Sequence, residues 1–466
     1  MPINNNVRWR RKPNQNTNTA SNKSGGLITY VMNDYTTPDL IKQVPPPVPS
    51  SVPVFTVSQY NGGGFVSTSP QGQAANCYVT ITNTIKYINS MSEKRLSNWA
   101  ATNNLIVKPR SGTDLNAFYD RYSLQFFYAK VGNRVIFTAD STDIVSHELG
   151  HAILDSYRPD LWSVAALEVW SFHEAFADIT AMFHVMQYDE VLNYALRETG
   201  GDIHKSNVFS NLAEDMGRAM YEISKGRDGQ LPNALRSAVN NFKYVDPGTL
   251  PPSAPRNKLA AECHSFGRIF LGAFYDILEM FYKDVLKTGK SQLDSIKAAR
   301  DLLAKYVLKA IQNAPLNSRF YESVAKTMLW ADWTNGKVYH DRMRNIFLNR
   351  NLIKTEIKML NAPKCNNDNN IMIKGSVKEL RLSDHVVRSL SNTNPLYDVV
   401  LEIPEADCYF YDDKKNVIDV VTVTKEDTLR AAVDMIEYLH KSRSVDGTEK
   451  TPFEIKEGKL VRTHFV

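Results

Sequence analysis

The segment His147-Glu148-Leu149-Gly150-His151 places two histidines four positions apart, with a glutamate directly after the first. On a helix, residues four apart project from one face, so both imidazoles can bind one metal ion. Glu148 is then placed to take a proton from a metal-bound water. The flanking residues are mostly apolar, as in a buried helix: Ile144, Val145, Leu149, Ala152 and Ile153. The segment predicts a buried metal-binding helix that can support hydrolysis.

A second segment provides two carboxylates, Glu174 and Asp178, that are again four residues apart. A hydrolytic zinc site needs a third protein ligand and an open coordination position. We interpret Glu174 as that ligand, and Asp178 as the carboxylate that hydrogen-bonds a ligand imidazole and fixes its tautomer. Taken alone, the pattern also fits a solvated glutamate and a buried aspartate on an amphipathic helix.

Together the two segments resemble the gluzincin metallopeptidases, and specifically the thermolysin-like group that includes the fungalysins. Two further stretches carry the resemblance, which extends over about residues 25–350. Residues 115–120, Leu-Asn-Ala-Phe-Tyr-Asp, are similar to the edge strand that holds the substrate in this group. Residues 262–270, Glu-Cys-His-Ser-Phe-Gly-Arg-Ile-Phe, are similar to the helix that carries its second catalytic histidine, with fungalysin-like features.

The resemblance implies an α+β fold with two lobes and a zinc ion in the cleft between them. A sheet-bearing N-terminal lobe would cover residues 25–155 and end in the zinc-motif helix, and a helical lobe would cover residues 156–362. The implied activity is that of a zinc-dependent endopeptidase that prefers a bulky apolar residue after the cut. Zinc held by His147, His151 and Glu174 would activate a water for which Glu148 is the general base. His264 would stabilise the oxyanion, while Asn116 and Ala117 would hold the peptide in an extended form.

The sequence departs from the group's pattern at three positions. The oxyanion-stabilising tyrosine has no clear counterpart, although Tyr157 and Trp162 fall nearby. The aspartate expected before the second catalytic histidine is replaced by Leu259, and Glu262 is the alternative carboxylate. Asp143 fits one calcium ligand of the group, but the other ligands are not evident, so a bound Ca²⁺ is only weakly indicated.

Charge and composition restrict the possible partners. The chain of 466 residues has a net charge of +5, and six basic residues against two acidic ones fall before residue 55. The remainder shows no basic face for nucleic acid, and no apolar run is long enough to cross a membrane. We expect residues 1–24 to form a disordered basic tail. No secretory signal or propeptide is visible, so we expect export by a non-standard route or, alternatively, a cytoplasmic peptidase.

The composition changes after Pro363, which predicts a small accessory α+β domain over residues 363–466. We expect strands at 397–403 and 408–423, and a helix capped by Thr424 and Asp427 that ends near residue 442. A final hairpin would pair residues 453–456 with 460–464. The domain carries no catalytic pattern, and its role is open between packing, targeting and binding a partner. The basic tail is a second candidate contact for a partner or for delivery machinery.

Two other functions remain to be weighed against a peptidase. One is a catalytically silent relative, which would bind a partner as a zinc-stabilised protein; the intact Glu148 argues against it. The other is a zinc-stabilised assembly protein whose function resides in residues 363–466. Of the remaining histidines, we expect His173 to face away from the metal and His184 to be structural.

Overall fold

The computed structural model describes residues 29–31, 42–44, 53–60, 69–226, 234–354, 370–384, 396–442 and 452–465. The predicted basic tail at residues 1–24 lies outside the described residues, as does the predicted domain boundary near residue 363.

Small sheets and two long helices make up the first part of the chain. In chain order these elements are β1 (Thr29–Val31), β2 (Lys42–Val44), β3 (Phe55–Val57), α1 (Pro70–Met91), β4 (Leu105–Lys108), β5 (Ala117–Tyr119), β6 (Ser123–Phe126), β7 (Tyr128–Val131), β8 (Arg134–Phe137) and α2 (Thr142–Tyr157).

The middle of the chain is mainly helical. Its elements are α3 (Leu167–Val185), α4 (Asp189–Thr199), β9 (Asn211–Leu212), α5 (Glu214–Ser224), β10 (Arg236–Ser237), α6 (Cys263–Leu286), α7 (Gln292–Asn313), α8 (Phe320–Thr334) and α9 (His340–Asn349).

The last part returns to a mixture of strands and one helix. Its elements are β11 (Ile371–Arg381), β12 (Val400–Tyr411), β13 (Val417–Val421), α10 (Lys425–Ser442), β14 (Phe453–Lys456) and β15 (Lys459–Arg462). The predicted α+β class is therefore confirmed. Among the described residues, no helix combines the length and the apolar character needed to cross a membrane.

The sheet next to the metal-motif helix has the strand order β3-β4-β6-β5. The pairs β3–β4 and β4–β6 are parallel, and β5 runs antiparallel to β6 at the edge. The sequence prediction that Ala117 lies on an edge strand agrees with this order. Because β5 has a partner in this sheet on one side only, its other side can pair with another segment.

A core of buried apolar side chains runs through the sheet, the helices and part of the C-terminal strands. Helices α2, α3 and α6 lie at its centre, and every residue of α3 is buried. Such a helix is apolar nearly all round, which is why its charged residues need partners from neighbouring elements.

Several predicted elements have different limits in the structure. The sequence near residues 206–225 has helical periodicity and predicts a helix, but this segment contains β9 followed by the shorter α5. The two predicted strands at 397–403 and 408–423 join into one β12 up to Tyr411, and the polar run at residues 412–416, which predicts a turn, separates β12 from its antiparallel partner β13. The helix cap is confirmed, because the Asp427 backbone N–H donates to Thr424 Oγ1 at 3.1 Å.

The C-terminal sheet packs on the helical region through a buried ion cluster. Lys326 of α8 lies 3.0 Å from Glu322 of the same helix and 3.0 Å from Asp419 of β13. Its ammonium group also donates to the Val420 carbonyl oxygen at 2.5 Å. The Lys326 side chain is only 3% exposed. Removal of its charge would therefore take a buried cation from both carboxylates.

We expect Lys326→Ala to lower the free energy of unfolding by about 3 kcal/mol, since loss of a buried cation leaves Glu322 with Arg319 and Asp419 with the more distant Arg344 as their remaining ion pairs. Lys297→Ala is the matched control, because Lys297 pairs with Asp189 in an exposed position and should cost less than about 1 kcal/mol. Urea unfolding of both variants measures the difference. Equal losses would contradict a structural role of the cluster.

A second contact between α10 and the helical region gives a pH-dependent prediction. Burial, together with the charges of Asp246 and Glu437, raises the pKa of Asp434 to about 7. The folded protein therefore binds this proton more tightly than the unfolded chain, and stability falls as the pH rises towards and through 7.

We expect Asp434→Asn to raise the melting temperature by about 2 °C at pH 8 and by less at pH 5. Thermal melts at the two pH values test this, with the exposed Asp384→Asn as control. A gain that is the same at both pH values would be inconsistent with the assignment.

Candidate metal centre and substrate cleft

The metal-motif helix and its neighbour approach closely because Gly150 has no side chain. A Cβ atom at Gly150 of α2 would lie 2.7 Å from Cα of Ala177 in α3, which is too close for any side chain. Gly267 of α6 has the same effect on the other side of α3, where a Cβ atom would lie 2.8 Å from the Ser171 carbonyl oxygen. These two contacts bring the three helices that carry the site together.

The predicted ligands converge at the centre of these helices. The Glu174 Oε2 atom lies 3.5 Å from His147 Nε2 and 3.8 Å from His151 Nε2. Donors around a tetrahedral zinc ion, each at about 2.0–2.1 Å, are about 3.4 Å apart. His147, His151 and Glu174 are buried and close enough to hold one metal ion, so their geometry and chemistry fit the predicted site.

The polar atoms at the centre lack hydrogen bonds of their own. His151 Nε2, Glu174 Oε2 and Glu148 Oε2 are all buried and make no hydrogen bond. Buried polar atoms in proteins are almost always hydrogen-bonded or bound to an ion. Their concentration at one point is what a site that binds a cation requires.

Asp178 orients the first ligand as predicted. Its Oδ1 atom lies 2.9 Å from His147 Nδ1, which leaves Nε2 for a metal. Burial disfavours the charged carboxylate, but the charge of Arg236 and the hydrogen bond with His147 hold the pKa of Asp178 well below its usual range. Arg236 donates to both carboxylate oxygens, from Nε at 2.8 Å and from Nη2 at 2.7 Å.

Sequence reasoning did not identify Arg236. It lies on β10, far in sequence from α2 and α3, and no local motif marks it. The guanidinium is buried, and it also lines the cleft in front of the proposed ligands. Arg236 therefore keeps Asp178 ionised and adds positive charge to the cleft.

Glu148 lies beside the proposed ligands and lines the cleft. Burial raises the pKa of Glu148 to about 8, which the charge of His147 opposes. A divalent cation next to this carboxylate would lower its pKa and favour the ionised form. Glu148 is thus suited to gain and lose a proton once a metal is bound.

His264 approaches from the opposite wall, at the start of α6. Glu262, the N-cap residue of this helix, accepts hydrogen bonds from the backbone N–H groups of His264 and Ser265. The same carboxylate lies 2.7 Å from His264 Nδ1. The alternative carboxylate named from the sequence therefore does orient the imidazole, and His264 Nε2 lies 3.2 Å from Glu174 Oε2.

The other predicted site residues fall into two groups. Asn116 and Ala117 both line the cleft, and the Ala117 backbone N–H donates to Asn116 Oδ1 at 2.9 Å. Tyr157 and Trp162 do not line it, and the Tyr157 hydroxyl points to Ser92 at 3.4 Å. No described tyrosine replaces them among the residues lining the cleft.

The calcium prediction receives no support from the geometry. The Asp143 carboxylate accepts hydrogen bonds from Ser141 and from the Ala213 backbone N–H. Within the described ranges, the two residue groups that could hold a metal both contain Glu174, and Asp143 belongs to neither.

His173 lies beside a proposed ligand and not at the surface, which are the two placements that its sequence position allows. Its ring is fully buried and lies 5.8 Å from the His151 ring, centroid to centroid. Phe465 stacks against both rings. Sequence reasoning did not identify Phe465, because nothing local connects it with the metal motif. His184 is structural as expected, since its Nδ1 atom lies 2.9 Å from the Thr84 hydroxyl.

The cleft in front of the site has a volume of about 580 Å³. Much of its lining is apolar and includes Leu115, Ile144, Leu212, Met216, Met220 and Leu235. Such a lining can accommodate a bulky apolar side chain.

Comparison of the chain with protein-family models and with curated proteins gives no match. The interpretation of the site therefore depends on its geometry and on the motifs.

We expect Asp178→Asn to weaken zinc binding by about 10- to 100-fold, the usual effect of losing a carboxylate that orients a ligand. Competition with a chromogenic chelator measures the dissociation constant. The matched control is Asp155→Asn on α2, since Asp155 also pairs with an arginine, Arg121, in a buried position. If both variants bind zinc equally well, Asp178 does not contribute to zinc binding.

Proposed function

We propose that the protein is a zinc-dependent endopeptidase with the two-lobed architecture of the thermolysin-like group. The carrying observation is the buried His147, His151 and Glu174 cluster, with Glu148 beside it at the floor of a cleft. Two imidazoles and one carboxylate are a ligand set typical of catalytic zinc, because they leave a coordination position open.

When bound, zinc would supply a Lewis acid and a means of lowering the pKa of a water molecule. Glu148 accepts the proton of the attacking water at Oε2, the oxygen that makes no hydrogen bond in the structure. It then donates that proton to the nitrogen of the leaving amine. His264, oriented by Glu262, donates a hydrogen bond to the oxygen that gains negative charge.

The peptide would bind along the side of β5 that faces away from β6. Asn116 and Ala117 lie on this side of the cleft, where an extended chain can hydrogen-bond to the strand. The apolar lining of the cleft supports the expected preference for a bulky apolar residue after the cut.

We expect Glu148→Gln to lower peptide hydrolysis by at least about 100-fold while bound zinc is unchanged, because the change removes the base but no ligand. Cleavage of a mixed peptide library, with zinc quantified in both proteins, tests this. Glu168→Gln is the matched control, since Glu168 is a buried glutamate of α3 that accepts hydrogen bonds from Tyr244 and Tyr321.

The alternative functions predict other outcomes of the same experiment. Zinc in both proteins and cleavage by neither would favour a catalytically silent relative that binds a partner. Absence of zinc from both would overturn the proposal.

A further inference from the structure

The end of the chain pairs with the strand proposed to bind the substrate. After β15 the chain leaves the C-terminal sheet and reaches β5, where Phe465 and Tyr119 form an antiparallel bridge. The Tyr119 N–H donates to the Phe465 carbonyl oxygen at 3.0 Å, and the Phe465 N–H donates to the Tyr119 carbonyl oxygen at 2.8 Å. Residues 463–465 are named the terminal segment below.

Stacking holds the Phe465 ring firmly in place. It lies parallel to the His173 ring at 4.1 Å and to the His151 ring at 4.8 Å, centroid to centroid. The Arg462 guanidinium also lies over the Phe465 ring, 3.8 Å from its centroid. Phe465 is 1% exposed, so this is a packed position and not a surface contact.

Phe465 occupies the same side of β5 that a bound peptide needs. In an antiparallel pair, alternate residues direct their backbone N–H and C=O groups to opposite sides of the strand. Because Tyr119 directs its groups away from β6 to Phe465, Ala117, two residues earlier, directs its groups to this side as well. A peptide opposite Ala117 would therefore pair with the same side of β5 as the terminal segment does.

The direction of the terminal segment shows which end of a peptide it meets. The segment runs antiparallel to β5, so it approaches from the side of Arg121 and reaches Tyr119 with Phe465. A peptide that binds antiparallel to β5 has its amino end towards Tyr119 and its carboxyl end towards Asn116. Its amino end therefore meets Phe465.

We propose that Phe465 is a specificity-determining residue that limits the length of substrate on the amino side of the cut. The inference rests on the proposed peptidase function and narrows it. Phe465 already takes the backbone groups of Tyr119, two residues from Ala117, and a strand advances about 3.3 Å per residue, so about one or two residues fit between the cut and Phe465. The substrates are peptides that are cleaved close to their amino terminus, and the number of residues after the cut is not limited.

The test is a series of peptides that share one cleaved sequence and carry one, two, four or six residues before the cut. For the zinc-loaded wild type we expect kcat/KM to fall at least about tenfold between two and four residues. Peptides lengthened on the carboxyl side should show no such fall. A value of kcat/KM that does not depend on amino-side length would overturn the proposal.

In the zinc-loaded protein, Phe465→Ala should raise the ratio of kcat/KM for the long peptides to kcat/KM for the short ones by about tenfold. His464→Ala is the matched control, because His464 is also buried in the terminal segment but lies against Phe118. If Phe465→Ala does not fold, Phe465→Leu keeps an apolar side chain and should give a smaller change in the same direction. A folded variant that keeps the wild-type length limit would contradict a role for Phe465.

Binding to the Glu148→Gln variant separates this inference from the proposed function. Its dissociation constants should rise at least about tenfold between two and four amino-side residues. If binding shows this length dependence but the wild type hydrolyses no peptide, the proposed peptidase function is refuted and the length limit is retained. Hydrolysis only after Phe465→Ala would show that the terminal segment blocks the cleft, and would overturn the proposal.

Discussion

The close approach of α2, α3 and α6 is the constraint on which the rest of the site depends. Gly150 lies between the two histidine ligands in the motif, and the space that its missing side chain leaves is filled by the backbone of α3 at Ala177. Any larger residue would push apart the helices that carry His151 and Glu174. Since metal–ligand distances tolerate little variation, the proposed ligands can bind one metal ion only if the helices pack this closely.

Electrostatics explains why the centre of this packed region favours a cation. Burying a charge is costly unless the charge is paired, and Asp178 meets this condition with Arg236. Among the buried atoms without a hydrogen bond are Glu174 Oε2, Glu148 Oε2 and His151 Nε2. All three belong to the predicted centre, so a bound metal ion would compensate the largest concentration of unsatisfied polarity there.

The sequence was sufficient to predict that the proposed ligands lie together because helical spacing is a local property. Positions i and i+4 share a face whatever the rest of the chain does, so His147, His151, Glu174 and Asp178 could be assigned from two short segments. Arg236 and Phe465 could not, because each reaches the site through tertiary contacts over a long sequence separation. For the same reason β11 was missed, since its pairing with β12 involves residues distant in sequence.

The C-terminal residues cannot be treated as a separate module. They were expected to form an accessory domain that packs, targets or binds a partner, and their sheet does pack on α8 through Lys326. However, Arg462 and Phe465 continue from that sheet into the aromatic layer behind His151. A movement of the C-terminal sheet would therefore displace a ring that stacks on a proposed metal ligand and pairs with the proposed substrate strand. On the proposed function, the placement of this sheet sets which peptides reach the metal.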